Sequence, residues 1–262
     1  MAPPDVSPVL LRIERIGVQF GGIVALDGVD LDIREREIVG VIGPNGAGKT
    51  TLFNVVTGVA KPSSGNISLL GHAITGLRQH VITARGIART FQNIRLFEDM
   101  TVRENVMLGA DCGRRDGSPG ALLGLSHTRR NEAEARARTS EMLAFTGLTR
   151  HAGTLARNLS YGDQRRLELA RALATRPKLL LIDEPAAGFN PTEKQELAEL
   201  IRSVRAFGCG VLLIEHDINI VTGICDRIAV LNFGRKIADG TPCEITADPA
   251  VIKAYLGTPD AA

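Results

Sequence analysis

Residues 37 to 54 read Glu-Ile-Val-Gly-Val-Ile-Gly-Pro-Asn-Gly-Ala-Gly-Lys-Thr-Thr-Leu-Phe-Asn. The apolar run Ile38, Val39, Val41 and Ile42 predicts a buried strand. It breaks into Gly43-Pro44-Asn45-Gly46-Ala47-Gly48-Lys49-Thr50, which fits G-x-x-x-x-G-K-[ST] at every fixed position. Glycines there let successive backbone N–H groups turn inward and line an anion nest, where a Cβ would obstruct a phosphate. A helix starting near Gly48 adds its positive end. Lys49 then reaches the β- and γ-phosphates, and the Thr50 hydroxyl ligates Mg²⁺. A chance glycine-rich turn need not have a strand before it and a helix after it. This stretch has both, and so implies binding of a nucleoside triphosphate.

The chain has 262 residues, enough for one large domain or a core with appended lobes. Its formal charge is only +2, so composition does not suggest a nucleic-acid binder. The four cysteines, Cys112, Cys209, Cys225 and Cys243, lack C-x-x-C spacing and read as reduced thiols, neither a disulfide frame nor a zinc site. No apolar run approaches the ~18 residues needed to cross a bilayer. The opening Met-Ala-Pro-Pro-Asp-Val-Ser-Pro lacks the basic and apolar regions of a signal peptide. Any membrane role is therefore expected to come through a partner.

Residues 1 to 8 are proline-rich and expected to be disordered. Val9, Leu11 and Ile13 alternate with polar or outward positions, and Val29, Leu31 and Ile33 do so more cleanly. Both patterns predict half-buried strands paired antiparallel, a layer preceding the nucleotide core. Between them Phe20 precedes Gly21-Gly22. Its ring can stack on adenine or face the core, and the local pattern leaves both open. Asn66 to Leu70 predicts a further strand. Thr101-Val102-Arg103-Glu104 fits a capping box opening a helix over about 102 to 109. Residues 111 to 126 read as a loop, and 128 to 146 as a helix whose mixed charges point to a solvated face. With no convincing strand from 93 to 158, that segment reads as a helical lobe inserted into an α/β core.

Leu159-Ser160-Tyr161-Gly162-Asp163-Gln164 opens another helix, stopped by Pro177. Leu179 to Ile182 is wholly apolar, as in a strand buried on both faces of a parallel sheet, and delivers Asp183-Glu184 to the edge where such sheets bind ligands. Asn190 and Pro191 begin a helix that Gly208 ends. Val211 to Ile214 leads to Glu215-His216-Asp217. Arg227 to Asn232 and Arg235 to Ala238 flank Phe233-Gly234 as a hairpin, and short helices finish the chain. Asp183 is placed to complete the Mg²⁺ site, Glu184 to orient or deprotonate the attacking water, and His216 to hydrogen-bond the γ-phosphate.

In this order the motifs resemble the ATP-binding subunit of an ABC transporter over nearly the whole chain. Gly43 to Thr50 matches its Walker A loop, Leu179 to Glu184 its Walker B with the catalytic glutamate, and Leu159 to Gln164 its signature. Gln92 falls in the Q-loop and His216 at the switch histidine. Phe20 matches the adenine-stacking aromatic. The resemblance implies an α/β fold with a P-loop NTPase (RecA-like) core, an N-terminal antiparallel β layer and an inserted α-helical lobe. It implies one ATPase domain over 9–257, with core and β layer at about 9–92 and 159–240, lobe at about 93–158 and C-terminal helices at about 241–257. It also implies ATP and Mg²⁺ as ligands. Pro44, Asn45, Gly46, Ala47, Gly48, Lys49, Thr50 and Thr51 contact the nucleotide with Gly43 and Phe20, while Ser160 and Gly162 do so from across a dimer interface. Thr50, Gln92 and Asp183 serve Mg²⁺, and Glu184, His216 and Gln92 serve hydrolysis.

Two positions depart from the family: Tyr161 replaces the usual signature glycine, and Asn190 stands where an aspartate commonly mediates contact between the two ATP sites. Thr90-Phe91-Gln92-Asn93-Ile94-Arg95-Leu96-Phe97, Leu-Ser-Tyr-Gly, Glu184-Pro185-Ala186-Ala187-Gly188 and Ala254-Tyr255-Leu256-Gly257 resemble the branched-chain amino acid importers. Urea importers and lipopolysaccharide exporters are close relatives. The implied partners are transmembrane permease subunits, a second identical or homologous ATPase and, indirectly, an extracytoplasmic solute-binding protein, which place the chain at the cytoplasmic face of the membrane. Nucleic-acid-linked ABC ATPases usually insert a long coiled coil or zinc modules between Walker A and signature, and translation factors of this class carry two ATPase domains. This chain has neither feature.

Overall fold

A computed structural model describes residues 8–112 and 126–256. Most of the proline-rich start and of the stretch 111–126 lies outside them. The chain divides into two compact units, residues 1–87 with 178–262, and residues 88–177. Among the described residues no helix is long and apolar enough to cross a membrane.

In the first unit β1 (Val9–Phe20) and β2 (Ile23–Arg34) form a long antiparallel hairpin closed by Gly21-Gly22. With β4 (Ser64–Leu69) and β5 (His72–Ala73) they make a four-stranded sheet in the order β2-β1-β4-β5. The layer is as expected, but its first strands run further than the alternation predicts. A bulge with Arg15 at φ 47° breaks the period, and Asp30 Oδ1 accepts the Arg15 amide at 2.8 Å to hold it.

The second sheet of this unit contains β3 (Ile38–Ile42), β7 (Leu179–Asp183), β8 (Gly210–Ile214), β9 (Arg227–Asn232) and β10 (Arg235–Gly240). With β6 (Ile87–Arg89) its order is β10-β9-β3-β8-β7-β6. β3 lies parallel between β8 and β9, and β7 parallel to β8, while β10 turns back as the antiparallel edge. Every residue of β3, β7 and β8 is buried, which is why these strands read as unbroken apolar runs. Val39, Val41, Leu179, Leu181, Leu212 and Ile214 join one core with the β layer and with Leu52 and Phe53 of α1 (Lys49–Val56). On the other face Gly40 lies close beneath Val221 and Cys225, at the end of α7 (Ile218–Ile224). The helix from Asn190 is α6 (Pro191–Ser203), with the anticipated cap. It gives way to a tighter turn, Val204–Phe207, before Gly208 at φ 73°. α8 (Pro242–Ala247) and α9 (Pro249–Leu256) end the described chain.

The second unit holds α3 (Val102–Asp111), α4 (Ser126–Phe145) and α5 (Tyr161–Ala174). Thr101 and Glu104 form the predicted capping box. By contacts this unit runs from Ala88 to Pro177 and takes in Gln92 and the signature helix, where the sequence predicts the lobe at about 93–158. The reason is backbone packing. A Cβ on Gly109 of α3 would stand 2.2 Å from the Arg171 carbonyl of α5, so these helices meet backbone to backbone.

Candidate functional site

The phosphate loop joins β3 to α1 through two tightly packed glycines. Gly43 has φ 151°, and a Cβ there would come within 2.1 Å of the Leu231 carbonyl of β9. Gly48, at φ 103°, would place its Cβ 2.7 Å from the Ala25 carbonyl of β2. Neither position admits another residue without moving main chain. Lys49, at the first turn of α1, is 8% exposed and its Nζ donates to the carbonyls of Gly43 at 2.7 Å and Pro44 at 2.9 Å. Burial holds its pKa below the usual lysine value, with the carboxylates of Glu184 and Asp183 acting in the opposite sense. Those carboxylates are therefore its electrostatic neighbours.

The sheet accounts for that meeting. Asp183 pairs in register with Ile214 of β8, which itself pairs with Val41 of β3. Glu184, just past β7, takes a left-handed φ of 44° and donates its amide to the Ile214 carbonyl at 2.9 Å. A non-glycine residue in that conformation carries strain of roughly 1–3 kcal/mol, of the kind that gathers at functional sites. His216 follows β8 with its side chain 64% exposed. Asp183 is buried, while Thr50 and Asn45 are exposed and Thr51 half-buried.

Phe20 ends β1 at the hairpin tip with its ring 55% exposed. The core-facing alternative is thereby overturned. Ala25 and Leu26, further along the same hairpin, pack on Gly48 and Gly234. The C-terminal helix reaches the loop as well. A cleft of about 510 Å³ is lined by Pro44, Asn45, Ala47, Phe233 and Lys253. Burial pushes the Tyr255 hydroxyl of α9 above the ordinary tyrosine range, against the influence of the Gly43 backbone.

Gln92, Ser160 and Gly162 lie in the lobe. Ser160 caps α5, its Oγ accepting the Asp163 amide at 3.2 Å and donating to Asp163 Oδ2 at 2.9 Å. Phe97 is 53% exposed beneath the Arg171 guanidinium, whereas Ile94 and Leu96 are half-buried. Asn105, fully buried, accepts the Phe97 amide and donates to the Phe97 carbonyl, both at 3.0 Å. Asn190 uses its side chain to cap α6, bonding the Glu193 amide at 3.0 Å.

Sequence reasoning did not single out Glu215, which is fully buried with its pKa raised by that burial. Nor did it single out Lys194, which meets Asp217 at 2.7 Å. A charge directly after a wholly apolar strand was the available signal for Glu215.

Among the described residues no group of three or more His, Cys, Asp or Glu side chains is arranged to hold a metal. Nucleotide-bound Mg²⁺ needs none, since one or two protein oxygens and the phosphates suffice. Thr50 at the first turn of α1 and Asp183 beside Lys49 fit that donor set.

The ABC transporter family profile matches residues 26–187, from β2 through the loop after β7. The chain belongs to the ABC transporter family. A second profile, of branched-chain amino acid ATP-binding cassette transporters, matches residues 235–261. LivG of Salmonella typhimurium, a high-affinity branched-chain amino acid transport ATP-binding protein, is 48% identical over 252 residues, spanning 96% of this chain and 99% of its own. LptB of Acidithiobacillus ferridurans, from a lipopolysaccharide export system, is 35% identical over 248 residues, 95% of this chain and 97% of its own. Among solved structures, the ADP conformation of the ABC cassette MJ1267 has a TM-score of 0.83 at 33% identity, covering 96% of this chain and 100% of its own. A dimeric post-hydrolysis state of the cassette MJ0796, bound to ADP and Pi, has a TM-score of 0.74 at 27% identity, covering 89% and 99%. As an ABC ATPase, this chain binds and hydrolyses ATP.

Proposed function

We propose that this ABC ATPase powers an importer for branched-chain amino acids, working as one half of an ATP-bound dimer beneath a permease. The observation that carries the chemistry is the meeting of Lys49, Asp183 and Glu184 at the carboxyl ends of β3 and β7, the parallel strands on either side of β8. The cargo follows from the near-full-length likeness to LivG, which is stronger than that to the lipopolysaccharide exporter.

The loop amides and Lys49 hold the phosphates, and Phe20 offers an exposed ring for adenine. Thr50 and Asp183 would hold Mg²⁺, and Gln92 is assigned to the ion and to the hydrolytic step. That ion supplies charge neutralisation at the β- and γ-phosphates. Glu184 accepts a proton as water oxygen attacks the γ-phosphorus, and the bond from that phosphorus to the bridging oxygen of ADP breaks. His216 donates to the γ-phosphate and senses its departure. Ser160, Gly162 and the N-terminal end of α5 complete the phosphate cage of the opposite subunit. The chain thereby sits at the cytoplasmic face of the membrane, held by the permease, while an extracytoplasmic binding protein delivers the solute.

Initial-rate uptake of labelled leucine tests this reading in cells lacking the chain. Wild type should restore uptake and Glu184→Gln should not. Undiminished leucine uptake without the chain would rule out this cargo.

A further inference from the structure

The lobe contains a buried ion pair that the hydrolytic steps above do not use. Arg165 and Glu168, one turn apart on α5, are 5% and 2% exposed, with Nη1 3.4 Å from Oε2. Both turn toward the Gln92 loop. Glu168 Oε1 accepts the Phe91 amide at 3.2 Å. Arg165 Nη1 donates to the Phe91 carbonyl at 2.6 Å, and Nη2 donates to the Gln92 carbonyl. The main chain on both sides of the Phe91–Gln92 peptide is thus fixed by two side chains of the signature helix. Arg89 and Arg95 also lie over the Phe91 ring, at 5.0 and 4.3 Å from its centroid.

Arg165 has one more contact. Its Nη2 donates to Tyr161 Oη at 2.9 Å, and its guanidinium carbon stands 5.3 Å from the centre of the Tyr161 ring. The Arg165 Nε is buried without an acceptor, so the orientation of the guanidinium plane depends on its Nη contacts. Tyr161 lies between Ser160 and Gly162, where ABC proteins usually carry a glycine with neither ring nor hydroxyl to offer.

We propose that Tyr161 is a positioning residue for the Gln92 loop. Its hydroxyl fixes the Arg165 guanidinium, which in turn fixes the Gln92 carbonyl, so movement of the signature turn passes to the loop through two hydrogen bonds. This rests on the reading that Gln92 takes part in hydrolysis.

Tyr161→Phe keeps the ring and removes the hydroxyl. In the full chain with ATP and Mg²⁺, kcat should fall about three- to tenfold while KM for ATP stays within about twofold, the pattern of a contact that matters in the transition state and not in binding. Gln92→Ala should lower kcat by itself, and adding Tyr161→Phe to it should cost nothing further. An unchanged kcat in Tyr161→Phe, or an equal loss in both backgrounds, overturns the proposal while leaving Gln92 its role. Wild-type kcat in Gln92→Ala removes that role, and the proposal with it.

Discussion

The carboxylate of Glu215 accepts the amide of Ala186 at 2.9 Å, joining the loop after β7 to the loop after β8 that carries His216. The same carboxylate accepts the His216 amide at 3.1 Å and stands 3.6 Å from His216 Nδ1. Two residues on, Asp217 pairs with Lys194 of α6 and caps α7. His216 is therefore held from both sides by bonds to the segment that follows Glu184.

That arrangement gives a pH signature. Burial raises the Glu215 pKa above its usual 4.5, against the Ala186 and His216 amides and the His216 charge. A raised carboxylate contributes stability that is complete below its unfolded value and lost as pH rises through the folded one. Glu215→Gln has no such dependence. The stability of wild type minus that of the variant should accordingly be larger at about pH 5 than at about pH 8. Urea unfolding at both values checks it, and a difference independent of pH would contradict it.

Lys49→Ala should weaken ATP binding by about tenfold to a hundredfold, since a charged donor inside a preorganised nest is lost. Titration with a fluorescent ATP analogue measures it. Unchanged affinity would remove Lys49 from the phosphate site.

Glu184→Gln should retain ATP but lose turnover by a factor on the order of 10²–10⁴, because an amide cannot accept the proton. Unhydrolysed ATP should then hold two subunits together, giving a dimer with ATP and a monomer without it in size-exclusion chromatography. Ser160→Arg added to this variant should abolish the dimer and spare binding to the single chain. If the natural partner is a different ATPase subunit, the same elution shift is measured with both chains present. Wild-type turnover in Glu184→Gln would exclude it as the general base.

Phe97→Asp should leave the fold intact, since the ring is half exposed and its backbone is pinned by Asn105. The variant should nevertheless fail to co-purify with a permease, because an exposed apolar ring of this size marks a contact surface. Undiminished recovery of the permease would place the docking surface elsewhere.

Gly43 to Thr50, the Walker B strand and the cap at Asn190 were legible because each follows a local rule: glycine geometry, burial on both faces, or a side chain bonding an amide three residues on. The turn at Phe233-Gly234 was legible for the same reason, both residues having positive φ. Glu215, and the Arg165–Glu168 pair with its hold on Phe91, were not. Their partners lie far away in sequence, and a charge that will be buried looks the same as one that will be solvated. The membership of α5 was hidden likewise. Its pattern shows an apolar face, but only packing against α3 tells which unit that face serves.

The turn at Gly234 also bears on how the protein is made. Its amide donates to the Ala47 carbonyl at 3.0 Å, its carbonyl accepts the Asp27 amide at 2.8 Å, and Leu231 closes against Gly43. The strand feeding Walker A is itself bonded on both edges by β8 and β9. An early-translated loop thus waits for late-translated segments to close around it. A growing polypeptide released before the β9–β10 hairpin would carry every residue of the phosphate-binding motif yet lack the surroundings that hold it in shape.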